Sequence, residues 1–282
     1  MSQLLKGAEV TAILNENLKA RISTLQKFGL SPTLAIVRVG EREDDLSYER
    51  GAVKRCETIG VKVQKFILPA DVPQSELMAT IEQLNRDKYI HGVLIFRPLP
   101  KHLDDEAVRA ALAPQKDVDG ITDGSLVGVF TDTAQGFPPC TAQACMEILD
   151  HFKVDCKGKK AVVIGRSLVV GKPAAMMLLK RNATVTVCHT RTVDMPSVTR
   201  EADILIVAAG RAGIIGKDYV SPGQIVVDVG IHMNDDGKLC GDVAFSEVEP
   251  IVSALTPVPG GVGTVTTSVL VSHVVEAAER CL

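Results

Sequence analysis

Two successive α/β domains, the second a Rossmann-like doubly wound parallel sheet and the first a smaller α/β domain, are the fold this sequence predicts. Three observations carry the prediction. Apolar runs of strand length alternate with amphipathic stretches of helical period along most of the chain, which is the pattern of βαβ units. The alternation breaks once, over 116–139, and then resumes. The 282 residues also exceed the usual span of one domain, roughly 100 to 200 residues.

Taken in order, residues 7–28 carry apolar side chains at Val10, Ile13, Leu14, Leu18, Ile22 and Leu25, a spacing of three and four that predicts an amphipathic helix. A buried strand is expected over 33–39, then a helix 44–59, a strand 61–68, a helix 74–87, a strand 92–95 and a helix 104–112. Lys116-Asp117-Val118-Asp119-Gly120 breaks the period, and Gly124, Gly128, Gly136, Pro138 and Pro139 mark a long loop after it. Loops of that length tend to be functional. A helix is expected over 141–152.

The second series has strands over 160–164, 184–188, 204–208 and 225–229, with helices between the first three, the outline of a doubly wound sheet. Residues 256–263, Thr-Pro-Val-Pro-Gly-Gly-Val-Gly, are too rich in Gly and Pro for regular structure, and a last helix is expected at 266–280. The domains predicted are 1–145, completed by 264–282, and 146–263.

Composition narrows the function. Hydrophobic residues make up 46% and charged residues 23%, so the chain has the material for a core in each half. The net charge of −3 leaves 31 basic against 34 acidic residues, with no long block of either sign, which argues against nucleic acid or a membrane surface as partner. Seven cysteines without a C-x-x-C pair argue for a reducing compartment, and the cytoplasm is expected. The first residues lack the basic and apolar regions of a signal peptide, and no apolar run is long enough to span a bilayer. The six histidines and the cysteines form no metal-ligand spacing, so no metal is expected.

The strand Ala161-Val162-Val163-Ile164 runs into Gly165-Arg166-Ser167-Leu168-Val169-Val170-Gly171-Lys172-Pro173, and Pro173 suits the first turn of a helix. Strand, glycine turn and helix N-terminus together make a phosphate cradle, because free N–H groups and the helix dipole face the anion. The loop departs from G-x-G-x-x-G, with Ser167 at the second glycine and Gly171 one residue late. An ordinary βα turn has the same outline.

Sites that prefer NAD usually place an acid about 20 residues beyond this loop. Here stand Cys188-His189-Thr190-Arg191-Thr192, and Thr190 and Arg191, with Arg166, suit the 2′-phosphate of NADP. NADP is therefore preferred over NAD. A solvated surface charge is the competing account of Arg191.

These segments, with Lys116-Asp117-Val118-Asp119-Gly120, Pro139-Cys140-Thr141 and Pro257-Val258-Pro259-Gly260-Gly261-Val262-Gly263, make the chain resemble the methylenetetrahydrofolate dehydrogenase/cyclohydrolase family over nearly its whole length. The resemblance implies a subunit, usually dimeric, whose N-terminal domain binds folate and whose second domain binds the nicotinamide cofactor, with the last helix returning to the first domain. It implies that Tyr48 faces the folate and that Asp119 accepts hydrogen bonds from the pterin; an aspartate before glycine is also simply a good turn residue. Pro259, Gly260 and Gly261 would let backbone approach the folate, and Val258-Pro259 is a candidate cis peptide. Thr264 and Val265 replace the family's usual Pro-Met there. Ile231, at the end of a strand on the cofactor side, either lines the nicotinamide pocket or packs in the core.

Two positions depart from the family. Its Tyr-x-x-x-Lys pair has Ala52 where the lysine belongs, and its Val-Gln-Leu-Pro-Leu-Pro segment reads Ile95-Phe96-Arg97-Pro98-Leu99-Pro100. Lys54 lies roughly 240° around the helix from Tyr48. Hydride transfer from the methylene bridge depends on positioning, whereas hydrolysis of the methenyl cation depends on proton transfers that a Lys and its Gln partner would serve. The expectation is an NADP-dependent dehydrogenase with weak or absent cyclohydrolase activity, unless Arg97 or Lys54 has taken over. The alternatives are a full bifunctional enzyme and a non-catalytic cofactor-binding regulator.

Overall fold

A computed structural model describes residues 2–234 and 236–282. In chain order its elements are β1 (Gln3–Leu4), α1 (Gly7–Lys27), β2 (Thr33–Val39), α2 (Glu43–Ile59), β3 (Lys62–Leu68), α3 (Gln74–Arg86), β4 (Gly92–Ile95), α4 (Asp105–Ala111), α5 (Asp123–Thr131) and α6 (Cys140–His151). There follow β5 (Lys160–Ile164), α7 (Gly171–Lys180), β6 (Thr184–Cys188), α8 (Met195–Arg200), β7 (Ile204–Val207), β8 (Ile225–Asp228), β9 (His232–Met233), β10 (Leu239–Cys240), α9 (Phe245–Val248), β11 (Ala254–Leu255) and α10 (Val262–Glu279). They divide into two units, 13–140 with 267–282, and 1–12 with 141–266.

In the unit 13–140 with 267–282, a parallel sheet runs in the order β3-β2-β4. Every residue of β2 is buried, as expected of a central parallel strand covered on both faces. Its alternate residues Ala35, Val37 and Val39 pack with Leu77, Ile81 and Leu84 of α3 and Val108 of α4. The register Val37↔Ile95 ends β4 immediately before Phe96, so the residues that follow are delivered to the carboxyl edge of the sheet.

The long loop expected over 116–139 is corrected, because a helix, α5, interrupts it. Thr122 caps this helix, its hydroxyl accepting from the Ser125 N–H at 3.1 Å. Gly124 and Gly128, read from the sequence as loop markers, lie inside the helix because side chains there would overlap Pro114 and the Gln135 backbone. Close packing, rather than a turn, requires them.

In the unit 1–12 with 141–266, six parallel strands run in the order β1-β11-β8-β7-β5-β6. β5 pairs with β6 on one side and β7 on the other, so successive connections leave in opposite directions and create a switch point where ligands bind in such sheets. Val162, Ile164, Leu205, Val207, Val226 and Leu255 form its core. The expected boundaries shift by a few residues, to 140/141 and 266/267, and differ most at the start: residues 1–12 belong with this sheet, because Gln3 and Leu4 pair in parallel with Ala254 and Leu255. The short hairpin β9–β10 and the strands β1 and β11, two residues each, carry too little periodicity to be read in advance. The last helix starts at Val262 rather than 266, directly from the Gly-Gly turn. Among the described residues no helix is long and apolar enough to cross a membrane.

Candidate active site

Tyr48 sits on α2, whose first turn carries Glu43, Asp44 and Asp45, a favourable placement of acids at the positive end of a helix. Its ring meets that of Phe96 edge-on, with centroids 5.8 Å apart and planes at 81°. Burial pushes the phenol well above its ordinary pKa, and the charge of Asp119 pushes in the same direction, so Tyr48 remains an O–H donor. Ala52, one helical turn later, is fully buried, while Lys54 is exposed. A lysine-sized cation is therefore missing from the tyrosine's own stripe, and Lys54 does not supply it.

Asp119 projects from a turn built on its neighbour. The carboxylate of Asp117, itself fully buried, accepts from the Ile121 N–H at 3.0 Å, the Thr122 N–H at 2.7 Å and the Ser125 hydroxyl at 2.7 Å. This fixes the backbone on both sides of Asp119. Burial, followed by the charge of Asp117, raises the Asp119 carboxyl to about 7, against the opposing pull of the Cys140 thiol and the Arg97 cation.

The Cys140 thiol donates to the Val118 carbonyl at 3.2 Å, and burial raises it far above its ordinary range, so it stays protonated and is no nucleophile. His273 holds the same carbonyl at 2.8 Å through Nδ1 and stacks on Phe137. Arg97 is committed elsewhere: Asp105 takes both Nε, at 2.5 Å, and Nη2, and also binds Arg109 at 3.2 Å. A guanidinium held in this fork is no proton donor or acceptor for hydrolysis. Its charge nevertheless acts on Asp119.

The second cluster lies at the carboxyl edge of the six-stranded sheet. Gly165 follows β5 with φ of 121°, and a side chain there would overlap the Ala208 carbonyl at the end of β7. One on Gly171 would overlap the carbonyl of Gly165 itself. The loop thus turns as tightly as backbone allows, closed by the Val170 N–H on the Ser167 hydroxyl at 3.1 Å, and residues 166–169 are exposed. After β6 a second turn is built by the His189 N–H on the Thr192 hydroxyl at 2.9 Å and the Arg191 N–H on His189 Nδ1 at 3.1 Å. It presents Thr190 and Arg191 to solvent. Because Ile164 pairs with Cys188, the two turns leave adjacent strands at the same level.

On β8 and beyond, Ile231, Pro259, Gly260 and Gly261 line one cavity of about 210 Å³, together with Leu239 and Val262. The wall is mainly apolar and ample for a flat heteroaromatic ring. The Val258–Pro259 bond is cis, as is Arg97–Pro98. The tight exposed loop, the cationic turn without an acid and the apolar cavity fit a phosphorylated dinucleotide. Sequence reasoning gave no role to Asp228, a buried residue that lines this cavity, or to Asp242, buried against it, both rich in backbone contacts; an aspartate ending a strand before Val-Gly was the available signal.

Two family models match the chain: the catalytic domain of tetrahydrofolate dehydrogenase/cyclohydrolase over residues 5–119, and the NAD(P)-binding domain of the same enzymes over 139–282. The chain is 53% identical over 281 residues to the bifunctional protein FolD of Carboxydothermus hydrogenoformans, covering 99% of this chain and 98% of that protein. Among solved structures it resembles the bifunctional FolD methylenetetrahydrofolate dehydrogenase/cyclohydrolase of Campylobacter jejuni, with a TM-score of 0.97, 39% identity and both chains fully covered. It also resembles the Trypanosoma brucei methylenetetrahydrofolate dehydrogenase-cyclohydrolase solved with NADP cofactor and an inhibitor, with a TM-score of 0.92, 31% identity and coverage of 99% and 98%.

Proposed function

Since the chain belongs to the tetrahydrofolate dehydrogenase/cyclohydrolase family, we propose that it oxidises 5,10-methylenetetrahydrofolate to the 5,10-methenyl compound with NADP, as a step of one-carbon folate metabolism, and hydrolyses the product weakly or not at all. The observation that carries the second half is the surroundings of Tyr48, where a buried methyl at Ala52 and the ring of Phe96 replace the two polar groups that proton transfer would use.

When bound, the nicotinamide supplies the hydride acceptor. The remaining work falls to the chain's own residues. Asp119 accepts N–H groups of the pterin and fixes its plane, and Tyr48 packs its ring against the substrate while keeping its proton. The hydride leaves with the electron pair of a methylene C–H bond, and the cation formed is shared by the two folate nitrogens beside it, so no protein base is needed. Gly165, Ser167 and Gly171 receive the pyrophosphate, Thr190 and Arg191 with Arg166 the 2′-phosphate, Ile231 the nicotinamide, and Pro259, Gly260 and Gly261 the substrate. NADP is preferred because the turn after β6 carries a guanidinium and no carboxylate, and because the T. brucei relative was solved with NADP.

A second reading is the full bifunctional enzyme, favoured by the names of the relatives from C. hydrogenoformans and C. jejuni. One experiment separates the readings: methylenetetrahydrofolate with NADP or NAD, following reduced nicotinamide, and then the methenyl compound alone, following its absorbance. Nicotinamide reduction with slow methenyl decay supports the proposal. Methenyl hydrolysis well above the buffer rate replaces it with the bifunctional reading, and no reduction at all leaves only a cofactor-binding regulator.

The reading includes a homodimer, a cytoplasmic location and no nucleic-acid or membrane partner. β3 is an edge strand with Ile67 exposed, a surface a second copy can cover, and all seven cysteines are free thiols. Light scattering on the purified protein tests the dimer.

A further inference from the structure

Two adjoining buried carboxylates, one of them lining the cofactor cavity, are bound almost entirely by backbone. Asp228, at the end of β8, accepts from the N–H groups of Gly230 at 2.9 Å, Asp242 at 3.1 Å and Val243 at 3.0 Å. Its own N–H goes to the Thr256 hydroxyl at 2.8 Å, just before the Gly-Pro turn that walls the cavity. Asp242 has no exposed surface; it accepts from the N–H of Gly210 at 2.9 Å and of Arg211 at 2.9 Å, and lies 2.7 Å from Nε2 of His232. A carboxylate only accepts, so the His232 ring donates through Nε2.

Burying an acid is costly unless its oxygens are satisfied, and an apolar residue would fill the same space without that cost. The partners explain what the acid achieves. Gly210 and Arg211 form the loop leaving β7 at the switch point, on the same edge as the Gly165 turn. His232 opens the hairpin β9–β10, whose Leu239 and neighbouring Ile231 line the cavity. Asp242 is the side chain that ties this loop to this hairpin, and through its N–H it is tied in turn to Asp228.

We propose that Asp242, acting with His232, is a positioning residue for the dinucleotide: it sets the distance between the loop after β7 and the apolar wall that receives the nicotinamide. The inference rests on the NADP reading above and names a residue outside the surfaces that touch the cofactor. Its loss opens the site without removing any contact group.

The test is direct binding of NADP by titration calorimetry, without folate, to the full chain and to Asp242→Asn, His232→Ala and His232→Gln. Asparagine turns one oxygen into a donor, which cannot hold the Gly210 N–H, and the dissociation constant should rise on the order of tenfold. His232→Ala, at a partly buried position, should weaken binding by about threefold, and His232→Gln, which keeps a donor, should restore it. In the dehydrogenase assay the KM for NADP should follow while the KM for folate stays within about twofold, a split that mere loss of stability does not produce. If the variants unfold at lower temperature but bind NADP like the parent, the inference is overturned. Should Asp242→Asn fail to fold, the His232 pair decides alone: equal affinities of Ala, Gln and parent overturn the inference. If the parent itself binds no NADP, the cofactor reading falls and the inference falls with it.

Discussion

Placing a lysine at Ala52 and a glutamine at Phe96 is the sharpest perturbation this site offers. Ala52 is fully buried and Phe96 is 7% exposed with its ring against Tyr48. A lysine at 52 brings roughly four heavy atoms into a space that holds a methyl, an overpacking that typically costs about 1 to 3 kcal/mol, and its ammonium would have to give up water. Ala52→Lys alone should therefore lower the melting temperature and leave methenyl hydrolysis near the parent's rate. Phe96→Gln returns roughly two heavy atoms and supplies a carbonyl to accept from the ammonium, so the double variant should recover much of the lost stability. Because a positioned acid-base group contributes about 10²- to 10⁴-fold, methenyl hydrolysis by the double variant should exceed the parent's by at least about 10²-fold. The assay is loss of methenyl absorbance in a buffer of low intrinsic hydrolysis, with the dehydrogenase rate as a control for an intact folate site. A double variant that folds, oxidises the methylene compound and hydrolyses no faster than the parent would refute the reasoning, as would a parent that already hydrolyses rapidly.

Three further outcomes follow from the same geometry. On the proposed role of Asp119, its carboxyl, raised to about 7, accepts two pterin N–H groups at once only when ionised, so kcat/KM for folate should rise with pH through about 7 and level off above it. Arg97→Leu should move that limb to higher pH because the opposing cation is gone, and Asp119→Asn should abolish it; a limb unchanged in both would show that another group titrates. Arg191→Ala should raise the KM for NADP by about tenfold or more and leave that for NAD within about twofold, and equal effects on both would remove the 2′-phosphate role. Gly165→Ala forces a side chain into the Ala208 carbonyl at φ of 121°, so the melting temperature should fall and NADP binding weaken together. Unchanged values of both would mean that the loop is looser than its geometry indicates.

Much of this protein was legible from local pattern. The strands β2, β4, β5 and β6 are read with their correct ends because each is a short apolar or β-branched run between breakers, and the helix α1 because one face repeats at helical spacing. The glycine turn after β5 and the residues around Tyr48 were visible for a similar reason: each is a contiguous segment whose chemistry lies in residue type and spacing. That Lys54 lies away from the tyrosine's face followed from helical periodicity alone, and its exposure agrees.

What only the tertiary structure decided involves partners distant in sequence. Gly124 and Gly128 look like loop residues until Pro114 and Gln135 are seen against them in α5. Gln3 and Leu4 join a sheet whose nearest strand is some 250 residues away, since the pairing Gln3↔Ala254 leaves no periodic trace in two residues. Arg97 reads as a free cation until Asp105 is found holding it. Asp242 gives no sign in sequence of meeting Gly210 and Arg211, because hydrogen bonds from backbone N–H groups are indifferent to the residue type that donates them, and its bond to the His232 ring depends on a hairpin too short to be read in advance. The sequence by itself thus determined the layered α/β elements, the glycine turn after β5 and the apolar pair Ala52 and Phe96 in the segments around Tyr48. The structure decided which buried charges organise them, because that depends on where chain segments meet in space.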